Sequence, residues 1–363
     1  MLAPGRFAAS GYGRPFVFRA ETATGASLEP QCARRSATRV GRLRRSLHAL
    51  AWFVLVTTAA HAQVSVVDDT GATVTLPAPA QRIVALAPHA AELVHAAGAG
   101  ARLVGVIKGS DFPAAVRSLP VVGDANALDL ERIALIAPDL VVTWPWTTPA
   151  QVGWLREHGI AVFEADPRTI DGIPDDVERI GVLAGTRAPA MAAAGALRRR
   201  IRELAVPTKA VPLRVFYQVA DAPLFTLGGH HLVSQAIAVC GGRNVFEALT
   251  IPAPQVSVEA VLAANPQVIV AGTDDAARPS WLDRWARWPA LDAARSGALY
   301  VVDANLLHRP GPRFIDGVAQ LCEALASARR AVANAGPAPI IDGTAAHDAA
   351  ASSTGPVRHR IPK

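Results

Sequence analysis

The order of apolar and polar positions along the chain separates short strands from helices. Val64 to Val67 and Thr73 to Leu76 flank an Asp-Asp-Thr-Gly turn and predict a hairpin. Arg82 to Leu86 reads as a buried strand. Pro88 follows it, and Ala91, Leu93, Val94 and Ala97 keep helical spacing as far as Gly98. Leu103 to Val106 is a second strand. Leu130 to Ile136 is a helix capped by Asp129, and Leu140 to Thr143 is a strand ended by Trp-Pro-Trp. A helix over 149–157 stops at His158-Gly159 and leads into the strand Ala161 to Phe163. Strands alternating with helices at this spacing imply a parallel α/β sheet.

Residues 171–205 break that rhythm. They read as helical almost throughout, interrupted near Gly185 and restarted at Pro189, a residue suited to a first turn. Alternation then resumes, with a strand over Val211 to Val219, a helix over 231–239, a helix from Val258 and a strand over Gln267 to Ala271. Trp281, Trp285 and Trp288 have spacings that place them on one helical face, as packing residues. An internal echo ties the two halves together. Asp129-Leu-Glu-Arg-Ile-Ala-Leu-Ile-Ala-Pro-Asp-Leu-Val-Val142 resembles Ser257-Val-Glu-Ala-Val-Leu-Ala-Ala-Asn-Pro-Gln-Val-Ile-Val270. Two similar α/β lobes joined by a stiff helix satisfy this pattern most simply, and ligands of such proteins bind between the lobes.

The expected division is a leader over 1–62, an N-terminal lobe over 63–170, a helical connector over 171–206, a C-terminal lobe over 207–333 and a disordered tail over 334–363. Charge supports the first boundary. The 363-residue chain has a net charge of +6, but residues 1–62 hold nine Arg, no Lys and two acidic residues. The remainder has 27 basic and 28 acidic groups, so nothing in it calls for a nucleic-acid partner. Within the leader, Arg42, Arg44 and Arg45 precede the apolar run Leu47 to Ala60, and Ala60-His61-Ala62 supplies small residues for cleavage before Gln63. An export signal is the expectation, with an uncleaved anchor as the alternative. Beyond Cys32 of the leader, Cys240 and Cys322 form either a disulfide or two buried thiols.

Catalytic signatures are missing. The chain has no G-x-G-x-x-G, Walker, G-x-S-x-G, C-x-x-C or H-E-x-x-H sequence, and its ten His do not cluster. Catalysis thus has no positive evidence in the sequence, and the expectation is a protein that is not an enzyme, with no resident metal and no required cofactor. An exported hydrolase remains possible only through a triad assembled across lobes, and a membrane-coupled sensor is a further alternative.

Six segments carry a family resemblance: Arg82-Ile-Val-Ala-Leu-Ala-Pro-His-Ala-Ala-Glu92; Gly105-Val with Ser110-Asp-Phe-Pro113; Leu130-Glu-Arg-Ile with Pro138-Asp-Leu-Val; Cys240-Gly-Gly-Arg-Asn-Val-Phe246; Val256-Ser-Val-Glu259; and Arg309-Pro-Gly-Pro-Arg313. Over residues 80 to 330 the chain resembles the periplasmic cobalamin-binding proteins of ABC importers. These lie in the helical-backbone class (class III) that also binds haem and ferric siderophores. The resemblance implies two Rossmann-like lobes on a long backbone helix, a disulfide between Cys240 and Cys322, and a monomer. Its ligand would be cobalamin or another corrinoid, delivered to a permease dimer with its ATPase. Haem or a ferric siderophore is the alternative ligand.

Site residues follow from the same resemblance. Glu131 and Glu259 match the glutamates that dock into arginine pockets of the permease; the bland reading is that each complements its helix dipole. Trp144 and Phe225 match pocket aromatics, with Trp146 as a neighbour, and ordinary loop packing is the alternative. His89, His230 and His231 are additions that would line the mouth, either to meet a ligand metal or as capping and rim residues. Arg309 and Arg313 would contact ligand amides or carboxylates, or else form structural ion pairs. The chain departs from the family at Gly109, Ala125 and Ala253, where aromatics are usual, and at Asn305, where Asp is usual.

Overall fold

The structure is a computed structural model and describes residues 63–207, 211–274 and 278–335. The expected leader lies outside the described residues, as does the expected tail beyond Ala335. The described chain opens with the antiparallel hairpin of β1 (Val64–Val67) and β2 (Thr73–Leu76), with Val64 opposite Leu76. Asp68 closes its turn by accepting from the Thr70 N–H, the Thr70 hydroxyl and the Ala72 N–H.

Four parallel strands follow: β3 (Ile83–Ala85), β4 (Leu103–Val106), β5 (Leu140–Thr143) and β6 (Ala161–Glu164), in the order β4-β3-β5-β6. All four residues of β5 are buried, as expected of a strand covered by helices on both faces. One face packs on α1 (Pro88–Val94) through Ile83, Ala85 and Leu93. The other packs Val84 and Val141 on Ile133 of α2 (Leu130–Ile136) and Leu155 of α3 (Pro149–Glu157). Helix α3 begins where predicted because Thr148 and Gln151 cap each other reciprocally.

The helical stretch is α4 (Gly172–Leu183) and the 18-residue α5 (Arg187–Leu204). Gly185, at a φ of 66°, separates them, and α5 spans about 27 Å. The second lobe repeats the plan of the first. Strand β7 (Leu213–Gln218) is followed by the small hairpin of β8 (Ala220–Asp221) and β9 (Leu224–Phe225), then by α6 (Leu232–Val239) and β10 (Gly242–Asn244). Next come α7 (Val258–Ala264), β11 (Val268–Thr273), β12 (Leu299–Asp303) and the closing helix α8 (Phe314–Ala335). The sheet order is β10-β7-β11-β12, all parallel.

The internal echo is structural in detail. Asp129 accepts from the Arg132 N–H and Ser257 from the Ala260 N–H, so α2 and α7 have the same cap. Both helices end on a left-handed residue, Ala137 at φ 50° and Asn265 at φ 40°. Asn tolerates that conformation and Ala does not, so the N-terminal copy carries local strain. Arg82 donates to the Ile136 carbonyl and Arg214 to the Asn265 carbonyl, each covering the exposed end of its helix.

Cys240, at the end of α6, is bonded to Cys322 of α8 with Cα atoms 4.7 Å apart. Closing a separation of 82 residues contributes about 4 kcal/mol in the chain-entropy model. The tryptophan face departs from expectation. The helix covers only Ser280–Asp283 and then tightens to three residues per turn over Arg284–Arg287. Trp285 is consequently buried, donating to Gln218 at 2.7 Å, whereas Trp288 lies beyond the turn and is exposed. Among the described residues no helix is long and apolar enough to cross a membrane.

Candidate functional site

Parallel α/β sheets present loops at the C-terminal ends of their strands, where side chains are held by the sheet but free of its ladder. In the N-terminal lobe, β3 runs into α1 and places His89 one residue past the proline that starts the helix. The next strand, β5, runs into a turn in which the Thr147 N–H donates to the Trp144 carbonyl and the Thr143 and Thr147 hydroxyls meet. The turn sets Trp144 edge-on to His89, with ring centroids 5.4 Å apart, and leaves Trp146 72% exposed at 6.1 Å from Trp144. Aromatic faces are thus available at a strand end, on rigid backbone.

In the C-terminal lobe, the hairpin after β7 carries Phe225, half-buried, paired with Ala220 and bridged to Gln255. The Thr226 hydroxyl donates to the Tyr217 carbonyl, which fixes Phe225 beside the end of β7. His231 caps α6, accepting from the Val233 N–H at 3.1 Å. The Tyr217 hydroxyl lies 3.1 Å from His308 Nε2.

The two walls meet through the loop 309–313. Arg309 bonds Asp111 of the facing lobe and its own neighbour Asn305, each at 2.8 Å. Arg313 bonds Glu92 at 2.6 Å, and its guanidinium lies 4.2 Å above the Phe112 ring. Gly311 makes the approach possible, because a Cβ there would stand 3.1 Å from His89 Cβ and 3.3 Å from Glu92 Oε2. Gln235 of α6 adds a third link, donating to the Arg168 carbonyl and accepting from the Ile170 N–H.

Electrostatics at this junction are unusual. Burial, helped by the Arg309 charge, pulls the His89 pKa down to about 3, so the ring is neutral at ordinary pH. Burial also lowers His231 to about 4, with the His308 charge adding to the effect. His308 is lowered by burial against the opposing pull of Asp274 and Asp303. Arg313 is held above its ordinary value chiefly by its hydrogen bond to Glu92. His89 Nε2, Glu92 Oε2, Ser110 Oγ and Arg313 Nε are all buried without a partner among the described residues. Such concentration at one junction marks a polar floor rather than a dry core.

The structure therefore brings His89, Trp144 and Trp146 together on one wall. Arg309 joins them across the junction, and Phe225 and His231 stand on the opposite lobe. Glu131 and Glu259 stand apart from this group. Each is an exposed residue in the first turn of its helix, in matching places of the repeat. Its own N–H and the Ser257 hydroxyl hold the Glu259 carboxyl below the ordinary range. Sequence reasoning missed Tyr217, His308, Glu92 and Asp111; the last three have no local signal beyond lying in or beside the family segments, and Tyr217 lies outside all of them. Among the described residues no group of three or more His, Cys, Asp or Glu is placed to hold a metal ion. A separate cavity of about 480 Å³ lies beside Asp69, Arg168 and Arg179, and Arg168, whose carbonyl accepts from Gln235, is the residue it shares with the junction.

A family model described as periplasmic binding protein matches residues 83–306, which is more than half of the chain and spans both sheets. The chain belongs to the periplasmic binding protein family. As a periplasmic binding protein it is a binder and not an enzyme. It is 35% identical over 257 residues to a Vitamin B12-binding protein of Vibrio cholerae, covering 70% of this chain and 92% of that protein. A Vitamin B12-binding protein of Yersinia pestis is 34% identical over 260 residues, covering 70% and 89%. The crystal structure of the periplasmic Vitamin B12 binding protein BtuF of Vibrio cholerae matches with a TM-score of 0.63 at 33% identity, covering 69% of this chain and 98% of that one. Periplasmic haem-binding protein BhuT, solved with two haems, has a TM-score of 0.61 at 22% identity over 68% and 98%, a likeness of fold alone.

Proposed function

We propose that this periplasmic binding protein captures cobalamin or a related corrinoid between its lobes and delivers it to an ABC importer. The observation that carries the reading is the 35% identity across 92% of a Vitamin B12-binding protein, in a chain whose Trp144 and Trp146 stand together at the end of β5. A corrin ring is broad, flat and fringed with uncharged amides. Trp144, Trp146 and Phe225 offer faces for the ring, each able to cover about 150–250 Å². His231 and Arg309 offer polar edges for the fringe, with His89 packed behind Trp144. Glu131 and Glu259, one on each lobe and both exposed, suit docking to a two-fold permease through its arginines, with gains in orientation and association rate.

The protein acts as a monomer, with its leader removed after Ala62 on export and its two lobes bounded by the connector over 171–206. Haem or a ferric siderophore is the second reading, favoured by the partnerless Nε2 of His89. The two are separated by colour. Protein exported from cells supplied with both cobalamin and haem should carry corrinoid absorbance, and a Soret band in its place would transfer the assignment to haem.

A further inference from the structure

The C-terminal wall of the junction contains two histidines whose tautomers are set by the protein. His231 occupies a helix N-cap, a place that Ser, Thr, Asp and Asn usually fill. It caps through Nδ1, which accepts the Val233 N–H, so the neutral ring must carry its proton on Nε2. The loop that holds it is rigid: the Ser234 hydroxyl donates to the Gly228 carbonyl at 2.8 Å, and Gly228 lies against the backbone of Leu249 and Ile251. His308 has a complementary arrangement. The Tyr217 hydroxyl is fully buried and has His308 Nε2 as its one hydrogen-bond partner among the described residues, so its proton is satisfied only by donating there. The His308 proton is then on Nδ1. Gly272 is required beside them, since a Cβ there would stand 3.2 Å from His308 Nε2 and collide with the Tyr217 hydroxyl. His308 keeps a solvent-exposed edge, adjoins Arg309 at the lobe junction, and is near enough to His231 to repel its charge.

We infer that His231 and His308 form a paired set of uncharged N–H donors that reads amide carbonyls on the ligand's rim, selecting an amide-fringed chelate over one fringed with carboxylates. The surrounding charge argues for that selection. Arg309 and Arg313, the cations at the junction, are already bonded to Asp111 and Glu92, and the acids near His308 are Asp274 and Asp303. A ligand carboxylate would meet repulsion there, whereas a neutral carbonyl would not. The same tautomers leave no lone pair on the open nitrogen of either ring, so neither serves as an axial ligand to a bound metal. This inference rests on the corrinoid reading for its ligand but not for its chemistry.

The test compares dicyanocobinamide, whose ring amides are intact, with dicyanocobyrinic acid, whose ring amides are replaced by carboxylates. Titration calorimetry is run on the full protein and on His231→Ser and His308→Phe. Ser preserves the helix cap, so His231→Ser should fold normally. Wild type should bind the amide ligand at least about tenfold more tightly, each variant should lose about tenfold for that ligand, and the preference should shrink. A wild-type preference for the carboxylate ligand, or a preference untouched by both variants, would overturn the inference. Should wild type bind no corrinoid, that reading fails by itself, and haem against haem dimethyl ester replaces the pair. Tighter binding of the diester, lost in His231→Ser, then supports the donor pair, while tighter binding of the free acid, or no binding of either, refutes it. Two-bond nitrogen–proton correlations in ligand-free protein provide a separate check: a proton on His231 Nδ1 or His308 Nε2 would contradict the tautomers.

Discussion

His89 links the packing of the lobe junction to pH. The side chain is 1% exposed, its Nε2 has no partner, and burial together with the Arg309 charge sets its pKa at about 3. In the unfolded chain the same ring titrates at the ordinary 6.5. Above about pH 7 both states hold a neutral ring and His89 adds no pH dependence. As pH falls through 6.5 the unfolded chain takes up a proton that the folded chain refuses, and stability is lost at about 1.4 kcal/mol per pH unit until about pH 3. By about pH 4 the loss amounts to about 3 kcal/mol. Other groups titrate over the same range, so the informative quantity is a difference. His89→Gln keeps a buried polar group of similar size and removes the titration. Urea denaturation of wild type and variant at about pH 7.5 and about pH 4 should show their stability difference moving by about 3 kcal/mol against wild type. A difference constant to within about 0.5 kcal/mol would refute the assignment of a neutral, proton-refusing His89.

Other perturbations test other parts of the structure. Glu92 is 3% exposed and pairs with Arg313 across the junction, so Glu92→Gln should cost about 2 kcal/mol. Adding Arg313→Met should then cost less than the sum of the single changes, and strict additivity in chemical denaturation would deny the coupling. Ala137 sits at φ 50° at the end of α2, so Ala137→Gly should raise stability by about 0.5–1 kcal/mol; thermal unfolding at a lower midpoint would show that the strain is absent. Glu131→Gln with Glu259→Gln should abolish uptake in cells while leaving ligand affinity within about twofold, and loss of affinity would move those glutamates out of the docking role.

Much of the fold was legible because its elements carry local signals. Helix α3 was readable over 149–157 with its stop at His158-Gly159, and the corresponding strands β5 and β11 of the two lobes from β-branched runs following Pro138 and Pro266. The repeat was readable as sequence, although the Arg82 and Arg214 caps that complete it were not. The tryptophan face failed because a four-residue helix tightened into a 3₁₀ turn, a change in periodicity that side-chain spacing does not encode. Candidate residues were legible one by one at strand ends, and their partnerships were not. Arg313 with Glu92 joins positions 221 apart in sequence, and Tyr217 with His308 joins positions 91 apart. Only the packing of one lobe, or of the two together, creates those contacts.

Titration calorimetry of cyanocobalamin into the purified, disulfide-bonded protein tests most directly what the junction holds. The structure and its relatives lead us to expect saturable one-to-one binding with a Kd of about 1 μM or tighter, weakened at least about tenfold by Trp144→Ala with folding unchanged. Absence of binding by the folded wild-type protein, or an affinity indifferent to Trp144, would contradict it.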